Sequence, residues 1–302
     1  MYLHENKEDF LDAINIVATS KGLLTQIVEK DYYVTLMLRG LSDKLPFIVF
    51  KGGTSLSKCH KAINRFSEDI DLTIDVALTQ GQKRIVKQAI ADVSSALGMS
   101  VANIDDIQSR KDYNRYVISY DSVVPTVSVV PNSSIILETS YKTISFPTKE
   151  LEVSNYIADV MGDGNAAILK EFALEPFRMK VQDINRTIAD KVFAICDYYL
   201  EGKTERHSRH LYDIHKLLPM IQLNAEFRDL VVEVRKGRLG SKVCHSAKDG
   251  INPNELLKKI IDERTFKDDY DMVTETLLNE VVAYDEVIGS LKMVVDSEIF
   301  VF

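Results

Sequence analysis

Phe10, Ile14 and Val17 keep the spacing of one helical face, and Gly22 after them predicts a helix ended by a left-handed cap. From Thr25 to about Leu41 there are two apolar stripes, Val28/Tyr32/Leu36 and Val34/Leu38/Leu41, which predict a helix buried on most sides. After Pro46 the run FIVF predicts a short strand and Gly52-Gly53 a turn. TSLSKCHKAI then predicts a helix starting at Thr54 or Ser55. DIDLTID alternates strictly, with Ile70, Leu72 and Ile74 on an apolar face and Asp69, Asp71, Thr73 and Asp75 on a wet one. Val86, Ile90, Val93 and Leu97 predict a helix from about Gln80, closed by Gly98.

RYVISYD, TVSVV and SIILETS predict three further strands, with turns at Pro125 and at Pro131-Asn132. From about Asp183 the pattern turns helical: Ile188, Val192, Ile195 and Tyr199 define one helix and Leu211, Ile214 and Leu218 another. Two more are expected between Asn254 and about Val295, while NYIADVMGDGNAA fits neither period. The expected fold is α+β, a mixed sheet with flanking helices followed by a helical bundle. The expected division is residues 1–165 and 166–302.

The length of 302 residues suits two domains, and 45% hydrophobic with 27% charged residues is an ordinary globular composition. A net charge of −8 argues against a protein that coats nucleic acid, so any such contact must be a local basic patch. Three widely spaced cysteines, Cys59, Cys196 and Cys244, suggest reduced thiols. The N-terminus is charged from its fourth residue, and no apolar run approaches the roughly 18 residues of a spanning helix. A cytoplasmic protein without membrane contact is the expectation.

The candidate chemistry lies in FKGGTSLSKCHKAINRFSEDIDLTID, from Phe50 to Asp75. A Walker loop requires glycine directly before the lysine and Ser or Thr after it, whereas Ser57 precedes Lys58 and Cys59 follows. A strand, a glycine pair and a helix start can still offer N–H groups to a phosphate. In a strand, residues i and i+2 point the same way, about 6.5–7 Å apart. Asp69 and Asp71 can thus converge on divalent metal, which relieves their mutual repulsion. An isolated pair of this kind is ordinarily only the wet face of an edge strand.

The combination of glycine turn, short helix and D-x-D strand is the local layout of the polymerase-β-like nucleotidyltransferases. VEKDYYVTLMLRGL, with FIVFKGGTSLSKCHKAINRFSEDIDLTI after it, resembles the AbiEii/AbiGii toxin family of type IV toxin–antitoxin and abortive-infection systems. The resemblance spans roughly residues 25–220. It implies that SIILETS supplies a third carboxylate, Glu138. It also implies that DINRTIADKVFAICDYY and ERHSRHLYDIHKLL carry the family's functional lysine and aspartate, at Lys191 and Asp213. Asn185, Ile188 and Asp190 depart from the residues usual in that segment.

On this resemblance Asp69, Asp71 and Glu138 bind Mg²⁺, with Mn²⁺ as a substitute, and Glu138 is also a candidate general base. Gly52, Gly53, Thr54 and Ser55 cradle the triphosphate, with Lys58 and Arg65 as further phosphate contacts. Lys191 clamps the triphosphate from a helical domain that closes the cleft, and Asp213 orients it. The implied reaction moves a nucleoside monophosphate from an NTP to an acceptor, tRNA first and a protein hydroxyl second. It would block growth, so a cognate antitoxin is an expected partner. A kinase using the same metal site and an inactive binding module are the alternatives. His207, His210 and His215 lack a zinc-ligand spacing. Cys59 and Cys196 fit packing positions.

Overall fold

The computed structural model describes residues 1–65, 67, 69–125 and 133–302. The expected TVSVV strand and the Pro131-Asn132 turn lie outside the described residues. The chain forms two compact units, Met1–Cys59 with Glu68–Ile144 and Thr148–Val181, and His60–Ser67 with Ser145–Pro147 and Gln182–Phe302.

The first unit opens with α1 (Lys7–Lys21), whose Asn6 side chain caps the amides of Glu8 and Asp9 and whose Gly22 ends it at φ 66°. Helix α2 (Thr25–Lys44) is buried along both predicted stripes. Strand β1 (Ile48–Lys51) runs straight into α3 (Gly52–Lys58), then β2 (Ile70–Ile74), and α4 (Gln80–Ala96) with a Thr79–Gln82 capping box. There follow β3 (Ser100–Val101), β4 (Tyr113–Ser119), β5 (Ser134–Ile144) and β6 (Thr148–Val153). Helices α5 (Tyr156–Met161) and α6 (Ala166–Glu171) and strand β7 (Phe177–Gln182) complete the layer. Among the described residues seven strands lie in the order β3-β4-β5-β2-β1-β7-β6. Strand β1 is antiparallel to β2 and parallel to β7, and β2 is parallel to β5, so the sheet is mixed. The structure is α+β.

Three expectations about elements change. The helix in TSLSKCHKAI begins at Gly52 and ends at Lys58, because the glycine turn is itself the first helical turn. Thr73, expected on the wet face, is buried, and its hydroxyl donates to the Thr143 carbonyl at 3.2 Å. Strand β7 follows residue 165, where the sequence suggested the domain division, yet pairs with β1 at Phe50–Val181.

The second unit is helical, built from α7 (Ile184–Leu200), α8 (Arg209–Leu217), α9 (Ala225–Arg238), α10 (Pro253–Asp262) and α11 (Tyr284–Asp296). Its core includes Ile188, Val192, Ile195, Leu211, Ile214, Leu257 and Leu291, all at most 1% exposed. Helix α9, which the sequence reading did not anticipate, starts at an Asn224 cap and buries Phe227, Val231 and Val234 at i, i+4 and i+7.

Candidate active site

The centre of the sheet brings the glycine turn against an aspartate. Gly52 leaves β1 at φ +77°, a backbone conformation that favours glycine. A Cβ placed there would lie 1.9 Å from Asp71 Oδ2, so the carboxylate occupies the space a side chain would need. The register explains this contact, since Lys51, the residue before the turn, is the antiparallel partner of Asp71. On its other side Asp71 is the parallel partner of Glu138 in β5. Partners in register project from the same face. Asp71 and Glu138 are therefore neighbouring carboxylates beside a helix start, and both are partly open to solvent. Asp69 is also half-buried and lies one residue before β2.

Ser55 and Thr54 are buried within α3, and the Ser55 hydroxyl donates back to the Gly52 carbonyl at 2.9 Å. What this turn presents outward is backbone, including the start of α3. Lys58 points elsewhere in this unit. Its buried ammonium is held by Asp31, whose other oxygen accepts from the Tyr156 amide at 2.8 Å.

The chemistry of the donors fits a divalent metal. Carboxylate oxygens are hard ligands, and Mg²⁺ is typically held by one or two carboxylates, with substrate phosphates and waters completing its shell. Among the described residues no three His, Cys, Asp or Glu side chains form a ready-made metal cluster. A pair of carboxylates beside a phosphate-sized turn still meets the requirement of an ion shared with its substrate.

The helical unit holds the other predicted residues in one buried ion cluster. Arg65 grips Asp213 with both prongs of its fork, Nε to Oδ1 at 2.7 Å and Nη2 to Oδ2 at 2.8 Å. Lys191 Nζ donates to the same Oδ2 at 2.5 Å. Exposure is 5%, 0% and 7% for Arg65, Asp213 and Lys191. Burial alone would raise the Asp213 carboxyl, but Arg65 and then Lys191 override it and hold it well below the usual carboxylate range. Burial lowers the Lys191 ammonium; Asp213 opposes this and Arg65 reinforces it. His210 is pushed well below its ordinary value by burial and by Lys191 and Arg209, which keeps it neutral at physiological pH. Arg65, expected at a phosphate, thus has its planar fork engaged by Asp213. The sequence signal was present in its guanidinium, which suits a bidentate carboxylate.

The remaining candidates take structural places. His207 stacks on Tyr198 with centroids 3.5 Å apart, and the His215 ring is hydrogen-bonded to Ser290 at 2.8 Å. Cys196 is buried and Cys59 half-buried, and none of the three cysteines is in a disulfide among the described residues.

The family model for the nucleotidyl transferase AbiEii toxin of type IV toxin–antitoxin systems matches residues 35–288. The chain belongs to the AbiEii nucleotidyltransferase toxin family. It is therefore a toxin-type nucleotidyltransferase, in a family whose members use a nucleotide substrate and generally a divalent metal and are countered by an antitoxin. Among solved structures it is similar to MenT4, a nucleotidyltransferase toxin from Mycobacterium tuberculosis H37Rv. That match has 16% identity over 93% of this chain and 98% of that chain, with a TM-score of 0.48. A likeness that distant carries nothing about the site. No curated protein matches the chain in sequence. No helix among the described residues is long and apolar enough to cross a membrane.

Proposed function

We propose that this AbiEii toxin transfers a nucleoside monophosphate from an NTP to a hydroxyl of RNA, tRNA in particular, in a Mg²⁺-dependent reaction. The observation that carries the reading is the contact of the Gly52 turn with Asp71, which leaves a phosphate cradle and a carboxylate touching. The triphosphate rests against the backbone of Gly52, Gly53 and the start of α3, where the N–H groups and the helix dipole favour negative charge. Asp71 and Glu138, with Asp69 beside β2, would hold the metal, which when bound would neutralise the triphosphate as charge builds on the leaving group. The acceptor oxygen attacks the α-phosphorus and the bond from that phosphorus to the bridging oxygen breaks. Pyrophosphate leaves, and the hydroxyl proton passes to Glu138 or to water.

Family resemblance brings Lys191 into the reaction as a phosphate-binding cation. The hydrogen bond that Lys191 donates to Asp213 supports this reading, because a lysine whose ammonium is held by a fully buried carboxylate is pre-oriented.

Incubation with each labelled NTP, Mg²⁺, and total cellular RNA and protein tests the reading, with mass spectrometry of the labelled product. RNA heavier by one nucleoside monophosphate is expected. A product heavier by phosphate alone, or label confined to protein, would show that another reaction is at work.

A further inference from the structure

The carboxylates lie within a row of strands that gives the site two ends. Across it run β1 with the glycine turn, β2 with Asp71, β5 with Glu138, and then β4. In an in-line displacement the attacking and leaving oxygens sit on opposite sides of the phosphorus. With the departing pyrophosphate on the turn after β1, the attacking hydroxyl comes from the opposite side, toward β5 and β4. Whatever β4 displays on the carboxylate face therefore meets the acceptor.

It displays an aromatic ring and a cation. Arg115 is the antiparallel partner of Glu138 and Tyr113 that of Ser140, so both project from the face that bears the carboxylates. Tyr113 is 52% exposed, and so is the Arg115 side chain, which approaches Glu138 only loosely, at 3.9 Å. The alternate residues Asn114 and Tyr116 are buried, which locks the strand's orientation. Its backbone is braced from the other side, where the Asn103 amide donates to the Arg115 carbonyl at 2.8 Å and accepts from the Val117 amide at 2.9 Å. Arg110 and Lys111, both exposed, immediately precede this strand, and the intervening Asp112 is taken up by Lys83 at 2.7 Å. In a chain of net charge −8, residues 110–115 place three cations and an exposed tyrosine together.

We propose that Tyr113 and Arg115, with Arg110 and Lys111 before them, form the acceptor-side subsite, which takes the phosphodiester backbone and a terminal base of the RNA to be modified. This rests on the nucleotidyl-transfer reading above. Arginine and lysine at the start of a strand suit successive phosphates, and an exposed phenol ring suits a stacked base.

Steady-state transfer from labelled NTP to purified total tRNA, with the full chain and Mg²⁺, tests this directly. Arg115→Ala and Tyr113→Ala should each raise KM for the RNA by about tenfold, and KM for the NTP should move by less than about twofold. Arg110→Ala with Lys111→Ala should reduce the slope of log(kcat/KM) against log[salt] by about one to two. Tyr113→Phe should retain most of the RNA affinity, because it keeps the ring and removes only the hydroxyl beside Glu138. If these variants raise KM for the NTP and not for the RNA, the patch serves the nucleotide and the proposal is overturned. Unchanged RNA KM in all of them overturns it too, while transfer by the wild-type protein leaves the parent reading standing. If the wild-type protein labels protein only, both fall together.

Discussion

The two units use acidic residues in opposite ways. In the sheet, Asp71 and Glu138 stand side by side and partly solvated. In the helical unit one fully buried aspartate is gripped by two cations. The first arrangement remains open to solvent, which leaves room for the cation that the proposed reading brings with substrate. The second is closed, so its acid is held in place by partners within the fold. Burial makes the difference: an open carboxylate can wait for a ligand in water, whereas a buried one requires its partners built in.

The sharpest way to break the comparison is to remove an open acid. If Asp71 holds the metal as proposed, Asp71→Ala should lower transfer by about a thousandfold or more while the fold persists, because little packing is lost. Asp69→Ala and Glu138→Ala should act in the same direction, and EDTA should mimic all three. Gly52→Ala should match them without replacing a carboxylate, since its methyl would fall on Asp71 Oδ2. Near-normal transfer by Gly52→Ala would mean that the turn and the acid are not one site. Circular dichroism alongside the activity assay separates loss of chemistry from loss of fold.

Removing the closed acid should instead destabilise the protein. Asp213→Asn leaves Arg65 and Lys191 buried without their anion, at a cost of about 3–5 kcal/mol. The pH dependence follows from its depressed pKa. The unfolded carboxyl titrates near about 4, so the stability from Asp213 is fully present above that pH and is lost as pH falls toward the lower folded value. Urea titrations between about pH 2 and 7 should show this loss in wild type and not in Asp213→Asn. A parallel acid limb in the two proteins would contradict the ion cluster.

Much of this contrast was legible in the chain, and the illegible part has physical causes. The alternation of DIDLTID and the turn at Gly52-Gly53 foretold β2 and the bend, because both are local patterns. Thr73 broke the alternation because a long-range partner, the Thr143 carbonyl, let a polar residue be buried. Strand β7 was missed although Phe177, Met179 and Val181 alternate with Arg178, Lys180 and Gln182 in the period of a strand, and Lys180 is matched by Asp75 at 2.5 Å. Arg65 and Lys58 looked like phosphate ligands beside a glycine turn. Their carboxylate partners, Asp213 and Asp31, lie 148 and 27 residues away in sequence. Local spacing reports a residue's charge but not the distant group that neutralises it.

A smaller change distinguishes charge from packing in the closed cluster. Lys191→Met removes one of two cations and leaves the Arg65–Asp213 pair neutral, so stability should hold or rise. Transfer should nevertheless fall by about a hundredfold, near 2.7 kcal/mol, if Lys191 acts on the triphosphate. Lys191→Arg should not restore it fully, because a planar fork does not occupy the place of a compact ammonium. Stability lost in step with activity would assign Lys191 a structural role alone.

The smallest expected effect comes from the support behind Arg65. The Tyr212 hydroxyl accepts from the Asn64 amide at 3.1 Å and donates to Glu280 at 2.5 Å, so it fixes the backbone one residue before Arg65. The Asn279 amide reinforces the same point by donating to the Asn64 carbonyl at 3.1 Å. Tyr212→Phe keeps the buried ring and deletes both hydroxyl bonds, at a cost of about 1–2 kcal/mol. Because the bidentate grip of Arg65 depends on where its backbone sits, the variant should also lower transfer, by a few-fold. A double-mutant cycle of Tyr212→Phe with Arg65→Lys should then be non-additive, because both changes loosen the same guanidinium. Additive losses would mean that Tyr212 braces the fold without positioning Arg65, and that the closed cluster is held by its own ion pairs.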